Sequence, residues 1–89
     1  MNAPPRHPEH CLPTVLRSGP YRFFYYMADH AERPHVHVER DDLEAKLWLD
    51  PVTIAHGGSF EPVELRRIER IVEEHRYVLL EQWDADFGV

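Results

Sequence analysis

The 89 residues of this chain are enough for one compact domain and too few for two. Because 43% of them are hydrophobic and no apolar run approaches the roughly 20 residues that cross a bilayer, we expect a packed cytoplasmic protein without a transmembrane segment. The formal charge of −6 at pH 7 argues against a domain that wraps nucleic acid, which usually carries a basic excess, and favours a basic protein partner.

The first twelve residues are predicted to form a flexible leader, because they combine three prolines with two histidines and have no apolar period. The lone Cys11 in this segment cannot form an internal disulfide, and nothing around it would activate a nucleophile. We therefore interpret Cys11 as a free thiol. The folded part is expected to be a single domain that extends from Pro13 to Val89.

Aromatic and β-branched residues dominate the next part of the chain and predict a hairpin. Its strands are Thr14–Arg17 and Tyr21–Met27, and its turn is Ser18–Pro20. The polar segment Asp29–Pro34 ends in proline, which favours an extended conformation in the residue before it. This segment is therefore predicted to be a connecting loop.

The clearest local pattern is a second hairpin, with strands His35–Glu39 and Glu44–Leu49 joined by a turn at Arg40–Leu43. Side chains alternate between the two faces of a strand, so alternation assigns each residue to one face. The face predicted to be buried comprises Val36, Val38, Ala45, Leu47 and Leu49. The opposite face comprises His35, His37, Glu39, Glu44, Lys46 and Trp48. The pair Asp50-Pro51 is predicted to end the second strand, and His56–Ser59 to form a flexible turn.

A long helix is predicted from Pro62, near its first turn, to a stop at Gly88. Its apolar residues recur at intervals of three and four and predict one stripe that covers the sheet. The stripe comprises Leu65, Ile68, Ile71, Val72, Val78, Leu79 and Trp83. His75 lies within it and is predicted to be buried and to tie the helix to a loop. The expected fold is α+β, with about four strands in two hairpins packed against one long C-terminal helix.

His35 and His37 are two residues apart on one strand, so their side chains project in parallel about 6.5 to 7 Å apart. In metal-free phosphodiester cleavage, one imidazole accepts the proton of a ribose hydroxyl and another donates a proton to the leaving oxygen. Lys46 on the same face could stabilise the charge on phosphate, and Trp48 or Tyr25 could stack on a base. His35, His37, Lys46 and Glu44 form the candidate catalytic set. The alternative interpretation is a solvated sheet face with cross-strand ion pairs.

A bound metal is another interpretation of the histidine pair, because both rings could converge on one ion. The candidates for a third ligand are His30, His56, Glu39 and Glu44. No spacing in the sequence matches a recognised metal motif. We therefore expect a site without a metal or another cofactor, with metal binding as the alternative.

Five segments together resemble a bacterial family, domain of unknown function 4160. They are Leu12–Leu16, Gly19–Tyr25, Pro34–Glu39, Glu44–Pro51 and Glu64–Ile68. The resemblance extends over residues 12–88, and its most specific parts are the histidine strand and the strand that begins Glu-Ala-Lys. The pattern of the family maps onto His30, His35, His37, Glu44 and Lys46, without a catalytic assignment for any of them.

Members of this family are similar to the toxin halves proposed for certain type II toxin–antitoxin operons. The resemblance implies a toxin-like protein whose partner is a cognate small protein encoded by a neighbouring gene. The activity we expect is metal-independent RNA cleavage by the candidate catalytic set, with RNA as a second partner and no membrane partner. A homo-oligomer is compatible with this interpretation. The alternative is a non-enzymatic adaptor or antitoxin-like module that neutralises a basic partner.

Overall fold

The computed structural model describes residues 14–88, so the predicted leader and Cys11 lie outside the described residues. The chain forms a five-stranded sheet in which each strand pairs with the next one along the sequence, always antiparallel. The strands are β1 Leu16–Ser18, β2 Tyr21–Phe24, β3 His35–Arg40, β4 Leu43–Leu49 and β5 Val52–His56. The predicted α+β class is confirmed, with five strands instead of four.

The strand that the sequence analysis missed is β5. The chain reverses direction at Asp50 and Pro51, as expected, but it then returns along β4 with Val52 opposite Leu49 and Thr53 opposite Trp48. The run Val52-Thr53-Ile54 is rich in β-branched residues, which suit a strand. His56, predicted to start a turn, is instead the last residue of this strand.

The first two strands differ in their bounds from the prediction, and β2 ends at Phe24 instead of Met27. A 3₁₀ helix, Met27–Ala31, occupies the segment where a loop was expected to begin. The side chain of Asp29 accepts a hydrogen bond of 2.7 Å from the backbone N–H of Tyr26, which closes the first turn of this helix. This bond therefore fixes the position of Asp29, which lies beside His35 and His37 of β3.

The predicted buried face of the second hairpin is confirmed. Val36 lies opposite Leu47, and Val38 lies opposite Ala45, so the apolar side chains of β3 and β4 share one face. They pack against the helices in a core whose buried members are Tyr21, Phe23, Val36, Val38, Ala45, Leu47, Leu49, Phe60, Ile68, Val72 and Leu79. The helices thus cover one face of the sheet, and the polar side chains of the hairpin lie on the other.

The C-terminal region forms two helices, α1 Pro62–Glu74 and α2 Arg76–Phe87, separated at His75, whose backbone leaves the helical conformation (φ −109°, ψ 17°). This break shifts the phase of the apolar stripe, so Val78 is exposed while Leu79 and Trp83 are buried. His75 is partly buried, and its ring N–H donates to the carbonyl of Ile71 in α1 instead of reaching a loop. Neither helix is long and apolar enough to cross a membrane, as judged from residues 14–88.

Candidate functional site

Three cationic or titratable side chains form a row across the polar face of the sheet. His37 on β3 lies opposite Lys46 on β4, and Lys46 lies opposite His56 on β5. Neighbouring strands are about 4.8 Å apart, so the backbone position of Lys46 lies between those of the two histidines. These three residues and Glu44 line a surface pocket of about 490 Å³. The pocket thus joins the predicted residues His37, Glu44 and Lys46 with a histidine from the missed strand.

The ring of His37 is held on several sides. Phe24 stacks on it with ring centroids 5.5 Å apart, and Tyr26 presents its edge at 4.8 Å. Its Nε2 lies 3.1 Å from Asp29 Oδ2 in hydrogen-bonding geometry, and its Nδ1 lies 3.5 Å from Glu44 Oε2. The hydrogen on Nε2 is therefore directed at Asp29, and Nδ1 lies on the side of Glu44, which also lines the pocket.

His35 is fully buried, with an exposed fraction of 0%. The rings of Trp48 and Trp83 cover it, with centroids 5.7 and 5.1 Å away. The interpretation of this face as solvated is therefore wrong for His35, because Trp83 of α2 and Asp29 of the 3₁₀ helix also lie against its ring. The catalytic role of His35 stays a prediction, and its burial restricts direct contact with a substrate to His37.

The two nitrogens of His35 have different surroundings. Nδ1 lies 2.9 Å from the carbonyl oxygen of Arg33, which can only accept, so this nitrogen carries a hydrogen and donates it. Nε2 lies 3.0 Å from Asp29 Oδ2, but the direction of that contact does not fit a hydrogen bond. Among residues 14–88, His35 Nε2 is a buried polar atom without a hydrogen-bond partner.

Asp29 stays ionised between these rings. Burial by itself would raise the pKa of its carboxyl group, but the imidazoles of His35 and His37 and the N–H of Tyr26 have the larger combined effect. They hold the pKa of Asp29 well below its ordinary value. The site therefore contains a largely buried negative charge at neutral pH.

Arg33 and Lys46 form a small basic patch around the ring of Trp48. The guanidinium of Arg33 and the ammonium of Lys46 lie 4.1 and 4.7 Å from the centre of the Trp48 ring. Lys46 also pairs with Glu32 at 2.5 Å, and this hydrogen bond lowers the pKa of the exposed Glu32 carboxyl. Exposed ion pairs of this kind are weak, so an anion could replace Glu32.

Two residues predicted as candidates lie elsewhere. His30 donates from Nδ1 to the carbonyl of Met27, 3.0 Å away, and its ring packs near Phe87. Glu39 is on the predicted face, but it pairs with Arg22 on β2 at 2.8 Å. Among the candidates for a third metal ligand, neither of these residues joins His35 and His37.

Asp29 is the site residue that the sequence analysis missed. Its carboxylate and the rings of His35 and His37 offer three potential metal ligands whose atoms lie within 4.8 Å of one another. The sequence had one weak signal for it, since an aspartate three residues after Tyr26 can close a turn through its side chain. The segment was interpreted as a connector, and no pattern in the sequence places it against β3.

The fold and the site define a class: a small α+β protein whose sheet presents a histidine–aspartate cluster beside an open pocket. Within that class, the family described as Domain of unknown function (DUF4160) matches residues 21–84, which is more than half of the chain. The chain therefore belongs to this family, as the resemblance of its five segments predicted. Neither a search of curated proteins nor a search of solved structures found a match.

Proposed function

We propose that this protein is the toxin-like component of a bacterial two-gene toxin–antitoxin module and that it cleaves RNA in the pocket of the polar sheet face. One observation carries the proposal: His37, Lys46 and His56 occupy paired positions on three neighbouring strands and line a single pocket. Two imidazoles can exchange protons with a ribose hydroxyl and a leaving oxygen, and a cation can bind the phosphate between them.

His37 accepts the proton in this proposal. Because its Nε2–H is directed at Asp29, the neutral ring keeps its lone pair on Nδ1. The 2′-hydroxyl of the ribose gives its proton to Nδ1, and its oxygen forms a bond with the adjacent phosphorus. The resulting imidazolium lies between the carboxylates of Asp29 and Glu44, which stabilise its charge.

His56 and Lys46 complete the reaction. Lys46 binds the phosphate oxygens in place of Glu32 and stabilises the negative charge that develops on them. The bond from phosphorus to the 5′-oxygen of the next nucleotide breaks, and His56 donates a proton to that oxygen. The products are a 2′,3′-cyclic phosphate and a free 5′-hydroxyl. His56 thus takes the second proton-transfer role that the sequence analysis gave to His35, and His35 becomes a positioning residue.

The alternative function, a non-enzymatic adaptor, has a specific observation in its favour. Tyr77 and Val78 at the start of α2 are 77% and 55% exposed, and they form an exposed apolar patch on an acidic chain. Exposed aromatic side chains of this kind are common in protein interfaces. In a two-gene module the same residues could contact the partner protein, whether or not the pocket is catalytic.

The experiment that tests the proposal is inducible expression of the chain with and without the neighbouring gene, comparing growth and transcript integrity. Wild type is expected to slow growth and fragment RNA, and the neighbouring gene to reverse both effects. His37→Ala is expected to be harmless at equal protein level, while the matched control His30→Ala behaves as wild type. Equal growth in every arm contradicts the proposal, and toxicity without RNA fragments favours the adaptor.

A further inference from the structure

The Nε2 atom of His35 is buried and has no hydrogen-bond partner within residues 14–88. The Arg33 carbonyl fixes the hydrogen of the neutral ring on Nδ1, so Nε2 carries a lone pair. That lone pair lies 3.0 Å from a carboxylate oxygen of Asp29, which is also electron-rich. A buried polar atom without a hydrogen-bond partner is rare in folded proteins and calls for an explanation.

We propose that Asp29, His35 and His37 bind one divalent transition-metal ion through Asp29 Oδ2 and the Nε2 atoms of both histidines. Two ligand atoms at about 2.0 to 2.1 Å from one ion lie roughly 3.0 to 3.4 Å apart. The distances of 3.0 and 3.1 Å from Asp29 Oδ2 to His35 and His37 lie within this range. An ion at this point would give His35 Nε2 a partner.

The outer contact of His35 has the arrangement that metal-binding histidines use, and His37 can adopt it when its hydrogen moves to Nδ1. A ligating histidine usually donates its other N–H to a carbonyl or a carboxylate, which fixes its orientation. His35 donates from Nδ1 to the carbonyl of Arg33, and His37 Nδ1 lies 3.5 Å from the carboxylate of Glu44. Both Nε2 atoms are thereby directed towards Asp29.

The ligand chemistry selects the class of ion. Two imidazole nitrogens and one carboxylate oxygen suit zinc, iron(II), cobalt(II) or nickel(II), whereas calcium and magnesium prefer oxygen ligands only. Three protein ligands leave at least one coordination position for water or another small ligand. Asp29 and His37 are not fully buried, so the ion has a route to the cluster from solvent.

This inference goes beyond the proposed function, and it predicts that a bound metal ion regulates the proposed RNA cleavage. A metal on His37 Nε2 displaces the hydrogen that faces Asp29, so the ring carries its hydrogen on Nδ1 and cannot accept a proton there. The bound ion and the proton transfer of the proposed reaction exclude one another. We therefore expect zinc to inhibit RNA cleavage in proportion to occupancy of this cluster.

For the test, the untagged full-length chain is first stripped of metal with a chelator. It is then titrated with zinc, and binding is measured by calorimetry. A second titration uses cobalt(II), and binding is measured by absorption spectroscopy. Binding is measured without RNA, so its outcome does not depend on the proposed function. Other side chains of types that can bind metals, His7, His10 and Cys11, belong to the predicted leader. A full-length His7→Ala/His10→Ala/Cys11→Ala variant therefore serves as the matched control, and His56→Ala controls for the remaining pocket histidine.

We expect wild type and both controls to bind one ion per chain, with the d–d bands of cobalt bound to nitrogen and oxygen ligands. Asp29→Asn keeps the shape of the side chain and is expected to weaken binding by about 100-fold or more, as is His37→Gln. Circular dichroism establishes that these variants are folded. Absence of binding to wild type, binding lost only in the leader variant, or unchanged affinity in folded Asp29→Asn would each overturn the inference.

Discussion

The Nε2 atom of His37 donates a hydrogen bond to Oδ2 of Asp29 across 3.1 Å, and thereby joins the centre of β3 to the 3₁₀ helix that precedes it. The bond decides which nitrogen of His37 is free on the pocket side. It also brings a carboxylate to the histidine pair. Both the proposed reaction and the proposed metal site depend on this one relationship.

Asp29→Asn is expected to reduce RNA cleavage by about 10²- to 10⁴-fold, because an amide can donate to His37 Nε2 and thereby favour the other tautomer. The loss should appear in kcat with little change in KM, since Asp29 orients His37 and does not bind RNA. Steady-state kinetics in the presence of a chelator measure this. Asp50→Asn, which alters a surface ion pair with Arg76, is the control. An equal loss in both variants, or a loss in KM alone, would contradict a positioning role.

Lys46→Gln is expected to weaken RNA binding and to reduce the dependence of binding on salt, because one phosphate contact is lost. The slope of log K against log salt concentration should fall by roughly 0.7 to 1. Fluorescence anisotropy with a 2′-O-methylated RNA, which the proposed reaction cannot cleave, measures binding alone. Lys46→Arg keeps the charge and should keep the slope. An equal slope in Lys46→Gln and Lys46→Arg would contradict a contact between Lys46 and phosphate.

Gly58→Ala is expected to destabilise the protein more than Gly19→Ala. Both glycines have a positive φ, of 60° and 56°, which costs a residue with a side chain about 1–2 kcal/mol. A Cβ atom at Gly58 would also overlap the carbonyl oxygen of Glu44, whereas one at Gly19 would meet nothing within 4 Å. Denaturant unfolding of the two variants separates the cost of φ from that of the overlap. Equal free energies of unfolding would show that the loop after β5 does not lie against β4.

Stability at acid pH is expected to depend on Glu64. Hydrogen bonds from Arg40 (2.6 and 2.8 Å) and Tyr21 (2.7 Å) lower the pKa of this carboxyl below its ordinary value of 4.5. A lowered pKa stabilises the folded state above the unfolded pKa, and this stabilisation is lost as the pH falls towards the folded pKa. The melting temperature of wild type should therefore exceed that of Glu64→Gln at pH 7, and the difference should shrink below about pH 4.5.

The control for this prediction is Glu73→Gln, at an exposed position of the same helix, which should follow wild type at every pH. Thermal unfolding by circular dichroism between pH 3 and pH 7 gives the comparison. A difference between wild type and Glu64→Gln that is unchanged at the lowest pH would show that the ion pair with Arg40 is not its cause.

Alternation along the sequence was sufficient to predict the second hairpin, because the period of two assigns Val36 and Val38 to the core and His37 and Lys46 to the other face. Family membership was also predictable, from five short segments. These features depend on local patterns of side chains. The extra strand β5 was within reach of the same reasoning, since Val52-Thr53-Ile54 is a β-branched run.

The candidate site was only partly predictable, because its geometry depends on contacts between distant segments. No local pattern shows that Trp83, near the end of α2, covers His35. The same is true of Asp29, whose side chain first closes its own turn and then reaches β3. Alternation placed both histidines on one face correctly, but it could not show that one is buried and the other lines a pocket.

The central claim is that His37 and His56 exchange protons with RNA, and cleavage of an end-labelled RNA by the purified chain with a chelator tests it most directly. We predict products with a 2′,3′-cyclic phosphate, a loss of about 10²-fold or more in both His37→Ala and His56→Ala, and full activity in His30→Ala. An RNA with a single 2′-deoxy nucleotide at the cleaved position should resist cleavage there. Cleavage of that deoxy position, or undiminished cleavage by His37→Ala, would contradict the claim.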